Sequence, residues 1–515
     1  MDSAVPLIVV ALLAAASVLV RAPRPRAAAM LGALILTPII LISHIWDGGQ
    51  LDQLRDRPIF AAVAVVVAVA FVVAAAFLAQ GHPGWLVLAA AAALPFRIPI
   101  SSGGSTSNLL VPLYAVMAAG VLAHAWPRLT GRIDERTPGE DRKPLAVEWA
   151  LMAYVVAYAV QASYSADFSH ALEQVVFFYV PFALLYTVIV RVDWTPRLAQ
   201  RCLLVLAGLA VVLVAIGFVE YQTRTLLLNP KVISSNSFSE YFRVNSLFFD
   251  PNIYGRFLDV VMLGVIAAVL WSTRPRNAIV GAVLLVYLWA GLVLTLSQSS
   301  FTALLAGLVV LAALRWRTKL VLGIAGTVAV AGLVFILAAG STVRFDVSSN
   351  KDTSGRADLI AGGVRLFSDD PIVGHGSGSF AKEYRAAEKD TSSQGVASAS
   401  HTIPLTVAAE QGVLGLALYL AVLVLALIAL LRGARGDPVR AAIAAAFVAL
   451  LVHTMMYAAF LEDPLAWALL AAGVGFATRP ARPVTEETGD GTAPAAPEPP
   501  PEPPIPPPAG WSMPA

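Results

Sequence analysis

The chain has 515 residues, of which 58% are hydrophobic and only 13% are charged, and its mean hydropathy is +0.74. This charged fraction is about half that of an ordinary soluble domain, which excludes a soluble globular protein and predicts a polytopic membrane protein. The net charge of +2 is small, and Cys202 is the only cysteine, which excludes an intrachain disulfide and a thiolate metal cluster.

Apolar segments long enough to cross a bilayer recur along the whole chain. Crossing the hydrocarbon core takes roughly 17 to 25 residues. We predict fourteen or fifteen spans, near residues 4–20, 27–46, 59–79, 84–97, 107–125, 145–162, 174–190, 202–220, 256–271, 279–296, 299–314, 320–340, 404–431, 441–460 and 464–478. The span at 84–97 is the weakest, because Pro95 and Arg97 interrupt it. The expected fold class is all-α, and no cleavable signal peptide is expected because no basic residue precedes the first apolar run.

Basic residues cluster in alternate loops, and this pattern predicts the orientation of the chain. The clusters lie near residues 21–26, 128–143, 191–201, 274–276, 315–319, 432–440 and 479–482. The positive-inside rule makes these loops cytoplasmic, so the loops 221–255 and 341–403 face outward. Trp46, Trp126 and Trp271 fall at predicted span ends, as interfacial anchors do.

Five regions follow from this pattern. Residues 1–144 are N-terminal transmembrane helices, 145–340 are a transmembrane core with the outward loop 221–255, 341–403 are a large extracytoplasmic catalytic loop, 404–478 are C-terminal transmembrane helices, and 479–515 are a disordered, proline-rich cytoplasmic tail. We interpret the tail as a spacer, with docking by its proline run as the alternative.

The first outward loop, 221–255, carries polar residues interleaved with aromatic ones. Arg243, Asn252 and Arg256 lie in this stretch, a composition that suits sugar rings and phosphates. Asp250 is expected to cap the helix that follows. Because Asp259 lies three residues after Arg256 on that helix, the two side chains could satisfy one another. We therefore rank Arg243 above Arg256 as a ligand contact.

The second outward loop, 341–403, contains Arg356 at the start of a predicted short amphipathic helix on the membrane surface. Arginine can bind phosphate oxygens in a bidentate manner. The alternative is a surface salt bridge with Asp358 or Asp352.

A glycine-rich run follows in the same loop. Gly374, Gly376 and Gly378 alternate with other residues, which would let backbone amides approach an anion or a sugar closely. It is not a nucleotide-binding phosphate loop, because no Gly-Lys-Ser/Thr follows it. The alternative is a tight turn that links two short helices.

His401 and Glu410 flank the start of the next predicted span. Pro404 suits the first turn of that helix, so the His401 imidazole would lie just outside the membrane near the positive end of the helix dipole. That field favours neutral imidazole, the form of a general base. Glu410 lies two turns deeper, where an ionisable group is costly, and we expect an arginine partner from an outward loop. The alternatives are an interfacial histidine without a catalytic role and a capping role for Glu410.

Taken in order, these motifs resemble the O-antigen ligase and polymerase superfamily. The resemblance rests on the Arg243 region with Asp250-Pro-Asn, Ser297-Gln-Ser-Ser, Gly355-Arg356, the Pro371 to Phe380 glycine run, His401, and Glu410-Gln-Gly-Val-Leu-Gly415. It covers residues 145 to 478. It departs from the family at Thr402, where Asn is common after the histidine, and in lacking a Trp after Gly355-Arg356.

This resemblance implies a GT-C-like, metal-independent, inverting glycosyltransferase of the cytoplasmic membrane that needs no cofactor. Its donor would be a polyprenyl-diphosphate-linked glycan, and its acceptor a hydroxyl of a glycan, lipid or wall component. Arg243 and Arg356 would hold the diphosphate and His401 would be the base. The predicted substrate contacts are Asn252, Arg256, Gly374, Gly376, Gly378, Tyr384 and Glu410.

Three alternatives remain open at this point. A repeat-unit polymerase shares the donor chemistry with a ligase. A transporter or flippase of lipid-linked glycans would place ionisable residues near the bilayer midplane. A transferase that uses a monophosphate lipid sugar would rely on Asp47, Asp52 and Asp56 in the outward loop that precedes the predicted span 59–79, where Arg55 and Arg57 favour a solvated turn instead.

Overall fold

The structure is a computed structural model that describes residues 4–46, 56–102, 105–132, 142–228, 242–339, 354–388, 402–457 and 460–478. The first half contains α1 (Val5–Leu19), α2 (Pro23–Ile45), α3 (Pro58–Gln80), α4 (Pro83–Ala93), β1 (Ile98–Ser102), β2 (Ser105–Leu109), α5 (Val111–Leu129), α6 (Ala146–Gln161), α7 (Phe168–Gln174), α8 (Val180–Val190) and α9 (Pro196–Thr223). The second half contains α10 (Pro251–Leu270), α11 (Pro275–Thr295), α12 (Gln298–Arg315), α13 (Thr318–Ala339), α14 (Ser354–Asp369), α15 (Phe380–Glu388), α16 (Ile403–Leu431), α17 (Pro438–Met456) and α18 (Pro464–Ala477). The proline-rich tail lies outside the described residues.

The polytopic helical fold is confirmed. Each of the fifteen predicted spans overlaps a helix, and within the described ranges ten helices are long and apolar enough to cross a membrane. Four more apolar helices are shorter, at Val5–Leu19, Pro83–Ala93, Thr318–Thr327 and Pro464–Ala477. The chain is therefore a multi-pass membrane protein.

The region around residues 84–109 differs from the prediction. The helix α4 has 11 residues, and at 1.5 Å per residue it extends only about 17 Å, too short to cross the hydrocarbon core. It ends before Pro95, and the chain then forms an antiparallel hairpin in which Ile98 pairs with Leu109 and Ser102 with Ser105. The all-α class is confirmed for the helical bundle, and this short hairpin is a local departure from it that the polar Ser-Gly-Gly-Ser sequence favours.

Aspartate followed by proline starts three of the helices. Asp250, Asp437 and Asp463 are the N-caps of α10, α17 and α18, and each side chain accepts a hydrogen bond from a backbone amide of the first turn. Proline suits the first helical position because its missing N–H would have no partner there. The predicted capping role of Asp250 is confirmed.

The buried core lies among the helices that carry the polar residues. The helix α6 packs along α16, and α17 packs against α10 and α12. Large side chains such as Tyr154, Tyr419, Phe447 and Trp467 are fully buried between these helices. In contrast, α3 exposes apolar side chains along its length, as a lipid-facing helix does.

Candidate active site

Several segments bring polar side chains together at one end of the bundle. They are residues 242–250 with the start of α10, the loop between α11 and α12, the turn before α18, the coil after α4, and the start of α15 with the first turns of α16. The distribution of basic loops predicts that this end faces outward.

The guanidinium of Arg243 is oriented by two protein acceptors. Its Nε donates to the carbonyl oxygen of Thr295 at 2.9 Å, and its Nη2 donates to Oδ1 of Asn252 at 3.1 Å. Partial burial lowers the pKa of Arg243, and the Asp250 carboxylate opposes that shift. An arginine that is already oriented loses little side-chain entropy when it binds an anion.

Asn252 connects Arg243 to a buried chain of hydroxyl groups. Ser297 Oγ donates to Asn252 Oδ1 at 2.8 Å. Ser299 Oγ lies 3.1 Å from Ser297 Oγ and 3.1 Å from His453 Nε2. This network joins the starts of α10 and α12 to the end of α17. The side chain of Asn252, predicted to contact substrate, therefore positions Arg243.

Arg256 is buried and forms an ion pair with a residue that is distant in sequence. Its Nη2 lies 2.7 Å from Oδ2 of Asp463, the N-cap of α18, and both side chains are at most 5% exposed. The predicted pairing of Arg256 with Asp259 is wrong in this respect. The turn before α18 brings a carboxylate to Arg256, and neither oxygen of Asp259 has a hydrogen-bond partner among the described residues.

A third arginine, Arg97, approaches the same ion pair from the coil after α4. Its Nε is buried and has no hydrogen-bond partner within the described part of the chain. Burial lowers the pKa of Arg97, the Asp463 carboxylate opposes that shift, and the positive charge of Arg256 adds to it.

Tyr457 lies near these arginines, within electrostatic range of Arg97, Arg243 and Arg256. The arginines share this region with the carboxylates of Asp250, Glu462 and Asp463. The buried Nε of Arg97 has no hydrogen-bond partner among the described residues, and such a donor in a partly dehydrated site favours an anionic ligand.

The glycine-rich run packs against protein backbone. Gly374, Gly376 and Gly378 have φ values of +69°, +92° and +76°. A Cβ on Gly376 would lie 2.3 Å from the Cα of Ser165, and one on Gly374 would lie 2.4 Å from the carbonyl carbon of Glu410. The expected approach to an anion or sugar is therefore wrong for these positions. They form the tight turn between α14 and α15, which was the alternative.

The Glu410 carboxylate caps this turn. Its Oε2 accepts from the amide of Gly378 at 2.9 Å, and its Oε1 accepts from the amide of Phe380 at 3.1 Å. The backbone of α16 is non-helical two residues later, at Gly412, whose φ is +63°. The prediction that Glu410 pairs with an arginine is wrong among the described residues. Both carboxylate oxygens instead accept from buried amides at the start of α15, which need acceptors.

A cavity of about 70 Å³ lies behind Glu410. Glu410, Glu462, His170, Gln174 and Ile403 line it together with Tyr154, Tyr158, Tyr179 and Tyr419. Burial raises the pKa of Glu462, and the nearby His170 opposes that shift. The start of α16 therefore lies close to Glu462, because Ile403 and Glu462 line the same cavity. Glu462 is adjacent in sequence to Asp463, the ion-pair partner of Arg256.

Tyr384 lies in a small apolar cluster between the short helices. Its ring stacks on that of Phe380 with centroids 5.9 Å apart, and Gly362 packs against it closely. Leu359 and Leu366 complete the cluster. This packing accounts for Tyr384 without the substrate contact that the sequence analysis assigned to it.

Two of the predicted catalytic residues lie at the edges of the described chain. Arg356 is in the first turn of α14, and the predicted short helix is confirmed, but the position of its side chain lies outside the description. His401 itself lies outside the described residues. It precedes Ile403, where α16 begins, and Pro404 is in the first turn as predicted.

The comparison with protein families agrees with this arrangement. Residues 283–420 match the family model described as O-antigen ligase. This segment is similar to the O-antigen ligase family, and the match supports that superfamily for the chain. The predicted superfamily is thereby confirmed, and the search of curated proteins finds no match. The O-antigen ligase segment includes Ser297, Arg356, His401 and Glu410.

The arginine cluster lies outside the O-antigen ligase segment. Arg97, Arg243 and Arg256 precede it, and Asp463 follows it, so only the structure connects them with it. The sequence analysis missed Arg97, Asp463 and Tyr457 as site residues. Two signals were present: Arg97 interrupts an apolar run, and Asp463-Pro464 repeats the pattern of Asp250-Pro251 at a predicted outward loop.

Proposed function

We propose that this protein transfers a glycan from a polyprenyl-diphosphate carrier to an acceptor hydroxyl at the outer face of the cytoplasmic membrane. The match to the O-antigen ligase family supports a ligase or polymerase of this superfamily. The observation that carries the proposal further is the meeting of three arginines near Tyr457, where Arg243 is oriented by protein acceptors and the buried Nε of Arg97 has no hydrogen-bond partner among the described residues.

A lipid diphosphate suits this site because its charge is concentrated at the membrane surface. Arg243 is already oriented by Thr295 and Asn252, and Arg97 has a buried Nε without a partner among the described residues. Arg256 is held by Asp463, so its charge acts on the ligand through space. Arg356 is the proposed fourth cation, supplied by the outward loop. The exposed apolar faces of the helices would contact the polyprenyl chain.

His401 is the proposed general base. It lies two residues before Ile403, whose side chain lines the cavity shared with Glu462, and Glu462 adjoins Asp463. This proximity supports a position for the imidazole near the arginine cluster.

The proposed reaction is a single displacement. The acceptor oxygen attacks the anomeric carbon while its proton passes to the His401 imidazole, and a new glycosidic C–O bond forms. The C–O bond to the diphosphate breaks on the opposite face, so the configuration inverts, and the polyprenyl diphosphate leaves with the electron pair. The arginines stabilise the negative charge that develops on this leaving group.

The test is glycan transfer in membranes from a deletion strain that expresses single variants. His401→Ala is expected to abolish transfer, and Arg243→Lys to reduce it on the order of 10²-fold, because one lysine cannot reproduce the fork of an arginine. Transferred and carrier-linked glycan are measured separately.

Arg224→Lys is the matched control. Arg224 is an exposed arginine at the same end of the bundle, and its guanidinium stacks on Tyr221 with 4.4 Å to the ring centroid. This variant should retain transfer. Full activity of folded His401→Ala protein would remove the imidazole from the mechanism, and equal losses in Arg224→Lys and Arg243→Lys would show that the effect of charge is not local.

The same deletion strain distinguishes a ligase from a polymerase. Full-length polymer accumulating on its lipid carrier indicates a ligase, whereas accumulated single repeat units indicate a polymerase. Movement of the lipid-linked glycan across vesicles of purified protein, without formation of a glycosidic bond, would instead indicate a transporter.

A further inference from the structure

A basic groove lies at the end of the bundle opposite the arginine cluster. The helix α12 has 18 residues, and at 1.5 Å per residue its two ends are about 27 Å apart. Its first turn belongs to the hydroxyl network of the candidate active site, and its last residue lines this groove. The groove has a volume of about 660 Å³, the size of a small-molecule site.

Four cationic side chains line the groove, and no acidic residue does. They are Arg315, Arg317, Lys319 and Arg435. The nearest acid in sequence, Asp437, uses Oδ1 to cap the amides of Val439 and Arg440. The charge of the groove is therefore not neutralised by the residues that line it.

Two of these cations are held in place by protein groups. The Nη2 of Arg435 donates to the carbonyl oxygen of Trp316 at 2.7 Å and to Oγ1 of Thr318 at 2.8 Å. The Nε of Arg315 donates to a carbonyl oxygen of α10 at 3.3 Å, and its guanidinium lies 5.6 Å from the ring centroid of Trp271. These contacts preorganise the positive charge around the groove.

The other two cations face the groove without such contacts. The side chains of Arg317 and Lys319 make no hydrogen bond or ion pair to any described residue, although the backbone carbonyl of Arg317 accepts from the amide of Val321. Two anchored and two uncommitted cations form a site for a phosphate-type anion, which accepts several charge-assisted hydrogen bonds.

The rim of the groove is suited to lipid. Trp271 and Trp316 lie at helix ends, where indole rings partition to the membrane interface. Just beyond the groove on α13, Leu320 and Leu322 are 60% and 54% exposed. Apolar surface thus continues from the basic groove along the helix toward the bilayer interior.

We propose that this groove binds the headgroup of an anionic phospholipid, with the phosphodiester among the four cations and the acyl chains along α13. Basic pockets between helices on the cytoplasmic side are suited to such headgroups. The site is separate from the proposed transfer reaction and does not depend on it.

The experiment is native mass spectrometry of the full-length protein in detergent, titrated with phosphatidylglycerol, cardiolipin, phosphatidylcholine of matched acyl chains, or inorganic phosphate. The wild type is expected to bind the two anionic lipids in preference to phosphatidylcholine. Arg317→Gln/Lys319→Gln removes two charges, and we expect roughly 30-fold weaker binding of anionic lipid. Thermal stability with each lipid is the second readout, and the Arg317→Gln/Lys319→Gln variant should gain less than the wild type from anionic lipid.

Arg197→Gln/Arg201→Gln is the matched control, because both arginines are exposed on α9 in another predicted cytoplasmic cluster and neither lines the groove. It should bind anionic lipid as the wild type does. Equal binding of phosphatidylcholine, an equal loss in the control, or the same stabilisation by inorganic phosphate would each overturn the proposal.

Discussion

At the scale of single residues, the buried pair of Arg256 and Asp463 connects stability to the site. A carboxylate at this position does two things, since it caps α18 through Leu465 and also neutralises part of the arginine cluster. The two roles can be separated, because asparagine caps a helix about as well as aspartate but carries no charge.

We expect Asp463→Asn to destabilise the protein by about 3 to 5 kcal/mol, because it leaves Arg256 buried without its counterion. Asp437→Asn is the control, since Asp437 caps α17 in the same Asp-Pro context and forms no ion pair with a buried arginine of the described residues. Thermal unfolding of both variants in detergent measures the difference. Equal stability of the two variants would contradict the assigned importance of the ion pair.

At the scale of elements, the turn between α14 and α15 depends on glycine for two reasons. Its positive φ angles disfavour a side chain, and its backbone lies directly against the end of α6 and the break in α16. Glu410 then satisfies the amides of this turn. The turn therefore holds α15 in place and connects the outward loop to the helix that follows His401.

Gly376→Ala is expected to disrupt this packing, because the new Cβ would lie 2.3 Å from the Cα of Ser165. Gly131→Ala is the control, since its φ of +69° is also left-handed but no atom lies within 4 Å of the added Cβ. The control should lose only about 1 to 2 kcal/mol, the cost of the left-handed backbone. Limited proteolysis of residues 354–388 measures the effect, and equal protection of both variants would refute the close packing.

At the scale of the whole molecule, the proposed chemistry requires the arginine cluster to face outward. Impermeant maleimide labelling of intact cells can test this, because Cys202 is the only cysteine. In a Cys202→Ser background, Ser163→Cys should react, because residue 163 is exposed at the same end of the bundle as the arginine cluster. Gly436→Cys, at the basic groove on the opposite end, should react only after the membrane is opened. The reverse labelling pattern would place the candidate site in the cytosol and refute the proposed reaction.

Much of the architecture was predictable from local patterns. Long apolar runs, alternate basic loops and the Asp-Pro cap before α10 depend on neighbours in sequence, and the polytopic helical fold and that cap are confirmed. The exception is α4, where Pro95 shortened a predicted span and a hairpin replaced its end. The helix α14 was likewise predictable, because its apolar spacing is local.

The partners of the polar residues were less predictable. Pairing Arg256 with Asp259 assumed that a polar group acts near its position in the sequence. Glu410 was expected to meet an arginine and the glycines a ligand, because the sequence does not show that Glu410 and the glycine turn satisfy one another. In the folded chain, Asp463 is brought to Arg256 from more than two hundred residues away, and Glu410 is occupied by amides.

The sequence by itself determined that this protein spans a membrane many times and resembles the O-antigen ligase superfamily, because hydrophobicity and short motifs are properties of contiguous residues. Only the tertiary structure decided which charges meet. Coulombic attraction and hydrogen bonding act over a few ångströms of space, and helix packing sets those distances without regard to separation along the chain.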